Sequence, residues 1–118
     1  MDNWRNEFGK LLAGKRIEKN LLSMDTAKTL GVSLAYLSNV EHGRKKVPQE
    51  WFGKLVSHLE LSLPEATELK VAMMRSNKAV ELEVTTPEEA AVLAAFDLNR
   101  QNLTEDRAER LIKAMTKP

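Results

Sequence analysis

The stretch Ser23-Met24-Asp25-Thr26-Ala27-Lys28-Thr29-Leu30-Gly31-Val32-Ser33-Leu34-Ala35-Tyr36-Leu37-Ser38-Asn39-Val40-Glu41-His42 decides how this chain folds. It holds two short helical patterns separated by a break. Ser23 can cap a helix over 24–30, because its hydroxyl can accept from the orphan N–H groups of a first helical turn. Gly31 can end that helix, since glycine takes positive φ without a steric penalty. Ser33 then caps a second helix, Leu34–Glu41, terminated around His42-Gly43. Ala27 is small where the two helices must approach, and Val32, Leu37 and Val40 can bury beneath the second.

Outward from this stretch the helical period continues. Upstream, Trp4, Phe8, Leu11, Leu12 and Ile17 recur at helical spacing with Lys10, Lys15, Arg16 and Lys19 between them, which predicts a first amphipathic helix to about Lys19 with Asn20 as its stop. Downstream, Arg44-Lys45-Lys46 form a basic loop, and Pro48 opens a fourth helix with Trp51, Phe52, Leu55, Val56 and Leu59 inward. Ser62-Leu63-Pro64-Glu65 has the spacing of a capping box and starts a fifth helix carrying Ala66, Leu69, Ala72 and Met73.

Beyond about Asn77 the pattern changes. Val80, Leu82 and Val84 alternate with Glu81, Glu83 and Thr85, the period-2 signature of a short strand. Thr86-Pro87-Glu88-Glu89 opens a sixth helix to about Leu98, and Thr104 caps a last one, Glu105–Met115, with Leu103, Ala108, Leu111 and Met115 on one stripe. The expected organisation is therefore all-α: a domain over 1–77 and an extension over 78–118, made of a short strand plus one or two helices.

Composition narrows the function. The chain has 118 residues, 42% hydrophobic, enough for one core with an appendage. Cysteine is absent, which removes disulfides, thiolate metal sites and cysteine nucleophiles and fits a reducing compartment. No apolar run approaches the roughly 20 residues that cross a bilayer, and Met1-Asp2-Asn3-Trp4 lacks a signal-peptide pattern, so the chain reads as cytoplasmic, without a membrane. Residues 1–60 carry ten Lys/Arg against seven Asp/Glu and 61–118 eight against ten, which points an anionic partner at the amino-terminal half. His42 and His58 lie on different elements with no carboxylate pair at ligand spacing, and no phosphate-binding glycine loop is present, so nothing argues for an enzyme, a metal or a cofactor. Glu88-Glu89 and Glu105-Asp106 read as first-turn acids that complement the helix dipole.

Two helices joined by Gly31-Val32-Ser33 are the geometric core of a helix-turn-helix, in which a tight turn exposes the amino-terminal end of the second helix. The run from Ala27 to Ser33, then Tyr36-Leu37-Ser38, Glu41-His42-Gly43-Arg44 and Pro48, resembles the Cro/repressor type of helix-turn-helix, the xenobiotic-response-element family of regulators. The resemblance covers about residues 5–61 and implies a compact bundle of five helices that binds double-stranded DNA, usually as a dimer. It implies base contacts from Ser33, Leu34, Ala35, Ser38 and Asn39. Asn39 is the sharpest of these, because its amide can bond adenine N6 and N7 together. Leu34 and Ala35 depart from the polar residues the family often carries there, and apolar side chains can only touch thymine methyl groups.

Phosphate contacts are implied from Ser23, Lys28, Arg44, Lys45 and Lys46. Tyr36 either reaches phosphate or packs its ring. Arg16 and Glu41 occupy positions where similar proteins form a partly buried structural ion pair. The extension is unexplained by that module, and Val80, Leu82, Val84, Leu93, Leu103, Leu111 and Met115 are its candidate dimerisation residues. Two functions follow: a dimeric repressor or autoregulator on a palindromic operator, or an antitoxin or phage-circuit protein whose extension captures a protein partner such as a toxin.

Overall fold

A computed structural model describes residues 6–117, and Trp4 of the first helical pattern lies outside them. Among the described residues all regular structure is helical: α1 Glu7–Glu18, α2 Ser23–Leu30, α3 Leu34–Glu41, α4 Trp51–His58, α5 Leu63–Asn77, α6 Pro87–Asn99 and α7 Glu105–Thr116, with a 3₁₀ turn at Arg100–Asn102. The chain divides into two compact units, Met1–Val80 and Glu81–Pro118.

The first unit packs its five helices around Trp51. The indole is 2% exposed, with Phe8 of α1 at 6.3 Å between ring centroids and Tyr36 of α3 meeting it edge-on at 6.0 Å. Around these rings lie Leu12, Ala27, Leu30, Leu37, Val40, Val47, Leu55, Leu59, Leu69 and Met73, so every helix of the unit contributes to one core. Removal of these apolar surfaces from water is the main source of stability in a chain without disulfides.

Polar contacts then set where each helix begins and how it is oriented. The Asn6 side chain accepts from the Gly9 N–H at 2.8 Å, so α1 opens at Glu7. Asn20, at φ +57°, turns the chain out of α1 while the Leu21 N–H returns to the Arg16 carbonyl at 2.8 Å. His58 at the end of α4 places Nε2 3.0 Å from the Thr26 hydroxyl and Nδ1 3.2 Å from that of Thr29, tying α4 to α2. Lys15 of α1 donates to Glu65 of α5 at 2.8 Å. Inside the unit, Arg16 Nη1 donates to Glu41 Oε2, joining α1 to the end of α3 with side chains only 8% and 5% exposed.

Three expectations need correction. Ser23 is the first residue of α2 and not its cap; the Asp25 carboxylate instead accepts from the Leu22 N–H at 2.8 Å, so the acid reaches back across the first turn. Pro48 does not open α4, because Pro48 and Gln49 form a turn whose carbonyls accept from the Trp51 and Phe52 N–H groups, and α4 starts at Trp51. Residues 79–85 carry no regular secondary structure, so the strand expected over Val80–Val84 is absent from the described chain. Alternating side chains are insufficient for a strand: its N–H and C=O groups need a neighbouring ladder, and no strand is present among the described residues to supply one.

The second unit is a helical hairpin. Thr86 and Glu89 form a capping box at the start of α6, and the Thr104 hydroxyl caps α7 by accepting from the Arg107 N–H at 3.2 Å. The Thr85 N–H and hydroxyl, with the Thr86 N–H, hold the Glu89 carboxyl below the usual carboxylate range. Neither helix buries a residue; Leu93 and Ala108 are half-covered, and the remaining described residues of the unit are exposed.

Two predictions follow from the first unit. Glu41→Ala should destabilise the chain by about 3–5 kcal/mol in urea unfolding, because it leaves the Arg16 charge buried alone, whereas Arg16→Met combined with Glu41→Leu should recover most of that loss. A cost below about 1 kcal/mol for the single change would mean that the pair behaves as a solvated one. The Lys15 ammonium, followed by the Ser62 N–H, lowers the Glu65 carboxyl from 4.5 to about 2. A depressed folded-state value stabilises the fold above the unfolded value, and the contribution disappears as pH falls from 4.5 toward 2. In a carboxyl-resolved NMR titration, Lys15→Ala should therefore raise the Glu65 midpoint, and an unmoved midpoint would assign the effect to Ser62.

Candidate nucleic-acid interface

α2 and α3 meet through a three-residue connection whose geometry is dictated locally. Gly31 takes φ +74°, and the Val32 N–H returns to the Ala27 carbonyl at 3.0 Å, closing α2 with a left-handed cap. Ser33 then adopts an extended backbone, and its hydroxyl accepts from the Tyr36 N–H at 3.0 Å to start α3. Leu37, Val40 and Glu41 face inward, which leaves Ser33, Leu34 and Ala35 on the outside and Ser38 and Asn39 half-exposed one turn later. Ser23, Leu34, Ser38 and His42 border one recess, floored by Arg16, Leu37 and Glu41. Ser33, Leu34 and Ala35 at the start of α3 are thus presented to solvent by the same packing that buries the ion pair.

α3 ends in a tight reversal. Gly43 takes φ +80°, its N–H returns to the Val40 carbonyl at 3.0 Å, and the Arg44 N–H returns to the Asn39 carbonyl at 2.9 Å. That pair of bonds is the Schellman arrangement, and it lays Arg44 back over the last turn of the helix. Arg44 Nη1 donates to Asn39 Oδ1 at 3.2 Å, while Lys45 and Lys46 project into solvent. The loop is then anchored: the Asn77 amide accepts from the Val47 N–H and donates to its carbonyl, both at 2.9 Å.

The structure places the expected residues unevenly. Ser33, Leu34, Ala35, Ser38 and Asn39 share the outer side of α3, with Arg44–Lys46 at its carboxyl end. Lys28 is exposed on α2, and Ser23 lies half-buried at the recess. Tyr36 packs its ring against Trp51, which accounts for its half-burial. Three contributors escaped sequence reading. Asn77 and Val47 are thirty positions apart, and nothing local marks their pairing. His42 brings Nδ1 within 2.7 Å of the Ser38 carbonyl beside the recess, although its position in sequence suggests only a helix end. Thr26, fully buried, meets His58.

In the second unit, the exposed apolar residues include Leu82, Val84, Leu103, Leu111 and Met115, together with Val92, Phe96 and Ile112, which were not among the candidates. Leu93 is half-covered within a groove it forms with Leu82, Val92 and Met115, rimmed by Glu83, Glu88 and Glu89. Val80, at the end of the first unit, is also exposed. None of the helices among the described residues is long and apolar enough to cross a membrane.

Among the described residues these elements are all helical, a five-helix unit with an exposed turn-linked helix pair and a helical hairpin. The chain belongs to the family of the ImmF control region 10 kDa protein of Bacillus phage phi105, to which it is 34% identical over 67 residues, 55% of this chain and 74% of that protein. No family model and no solved structure matches the chain.

Proposed function

We propose that the chain is a sequence-specific DNA-binding transcriptional regulator of a phage-type control circuit, acting in the cytoplasm as a dimeric repressor or autoregulator on a palindromic operator. The observation that carries this reading is the α2–turn–α3 pair, whose second helix exposes its capped amino-terminal end beside the basic Arg44–Lys46 turn. A helix-turn-helix works through this exposure: the second helix enters the major groove while surrounding cations and helix N-termini bind the backbone. The control-region relative supports a regulatory role.

In this reading Ser33, Leu34, Ala35, Ser38 and Asn39 face base edges. Ser23, Lys28, Arg44, Lys45 and Lys46 lie toward phosphate, with the Tyr36 hydroxyl as a further contact from a ring already fixed on Trp51. The chemistry is binding and requires no cofactor or metal. Dimerisation belongs to the extension, through Val80, Leu82, Val84, Leu93, Leu103, Leu111 and Met115, with two recognition helices presented about 34–36 Å apart to successive major grooves.

A second reading is favoured by one observation, the exposure of apolar side chains along both helices of the hairpin. An antitoxin or phage-circuit protein would use that surface to hold a different protein. Measurement of both mass and duplex binding on the purified chain separates the two, since a stable dimer binding duplex DNA fits the first and a monomer without duplex affinity fits the second.

Replacing Arg44, Lys45 and Lys46 with alanine should weaken binding to all duplexes and reduce the magnitude of the salt slope by about 0.9 per lost phosphate contact. An unchanged slope removes the turn from the interface. Truncation after Lys78 should leave a folded, helical and mainly monomeric chain by circular dichroism and light scattering; persistence of the dimer at micromolar concentration would move the interface into the first unit.

A further inference from the structure

Arg44 and Asn39 are joined twice. Their backbones meet through the Schellman bond at 2.9 Å, and their side chains through Nη1 and Oδ1 at 3.2 Å. The first contact makes the second a built arrangement, because Gly43 at φ +80° returns the chain over the helix end and the Asn77–Val47 pairing holds the following loop. Arg44 sits at this place without needing a ligand.

We infer that Asn39 and Arg44 read one base together, and that the base is guanine. The inference rests on the DNA-binding reading and supplies the identity of a base within it. A guanidinium carries five N–H donors and no acceptor, so the amide atom turned toward Arg44 is the oxygen. The Asn39 amino group is therefore turned away from Arg44, and both partners present donors. Guanine answers such a surface, since its major-groove edge offers O6 and N7, two acceptors. Adenine offers N7 beside an N6 amino donor. The Asn39 oxygen has a second lone pair for adenine N6, but the N6 amino donor would then lie against the remaining N–H donors and full positive charge of the guanidinium, with no acceptor between them. The adenine contact expected of an asparagine alone is thus disfavoured by its neighbour. Arg44 accordingly acts as a specificity residue in addition to any phosphate it meets.

The test selects duplexes randomised over about two helical turns, using the full-length chain, Arg44→Ala and Asn39→Ala in parallel at one salt concentration. The unaltered chain should enrich guanine over adenine at one position per half-site by about tenfold or more, the discrimination a good two-bond contact supplies. Each alanine variant should lose that preference at the same position while retaining the others. Adenine enriched there by the unaltered chain overturns the proposal. So does Asn39→Ala that keeps guanine, which would leave Arg44 reading alone, and so does Arg44→Ala that lowers affinity evenly with every preference intact, which would make Arg44 a phosphate contact. Failure of all three chains to bind any duplex would instead overturn the DNA-binding reading itself. Far-UV circular dichroism on both variants checks that the helices remain, so that a lost preference is read as a lost contact; the base enriched by the unaltered chain tests the identity of the base, and the variants test whether both residues read it.

Discussion

Arg16 and Glu41 meet where water is nearly excluded, and the position of α3 depends on their meeting. Two charges removed from water cost several kcal/mol each, and only close geometry with additional hydrogen bonding offsets this. Here the link is doubled by the backbone, because the Asn6 N–H at the start of α1 donates to the Glu41 carbonyl at 3.3 Å. α3 is consequently held by its carboxyl end against α1. Its amino-terminal end, capped only by Ser33, stands clear of the core. A helix anchored in this way can offer side chains to a groove without loosening its packing.

The segment that follows Glu41 is held by further contacts of its own. The reversal at Gly43 brings Arg44 over Asn39, and Asn77 of α5 grips Val47 through both of its peptide groups. Asn6 Nδ2 donates to Ser76 at 2.7 Å, so α1 and the end of α5 close on each other near the same region. The side-chain amide of Asn77 thereby confines a segment whose cations, Lys45 and Lys46, remain in solvent. Such confinement reduces the ordering entropy that an otherwise flexible basic loop would lose on meeting phosphate.

The hairpin of the second unit follows a different physics. α6 carries Ala90, Ala91, Val92, Leu93, Ala94, Ala95, Phe96 and Leu98, apolar on all its sides, whereas α7 alternates one apolar stripe of Leu111, Ile112 and Met115 with Asp106, Arg107, Arg110 and Lys113. A helix apolar all round normally lies inside a larger structure. A unit of fewer than about 40 residues usually needs disulfides, metal or association to fold, and cysteine is absent. These two facts leave the hairpin with little core of its own, since neither helix buries a residue.

Local chemistry alone determined much of this protein. The hydroxyls of Ser33, Ser62, Thr86 and Thr104 mark helix starts, Gly31 and Asn20 mark helix ends, and the spacing of Phe8, Leu12, Leu55 and Leu59 marks inward faces, because caps and periodicity act within one or two turns of chain. The same rules misplaced Ser23 and Pro48, where α2 begins one residue earlier and a turn precedes α4, and they suggested a strand that finds no ladder. Arg16 with Glu41 came from resemblance and not from spacing, while Asn77 with Val47, Thr26 with His58 and Asn39 with Arg44 had no sequence signal. Only tertiary structure decided these pairings. The partners are separated along the chain or joined through a turn, and a polar group chooses its partner by which donors and acceptors remain when packing has removed water from the rest.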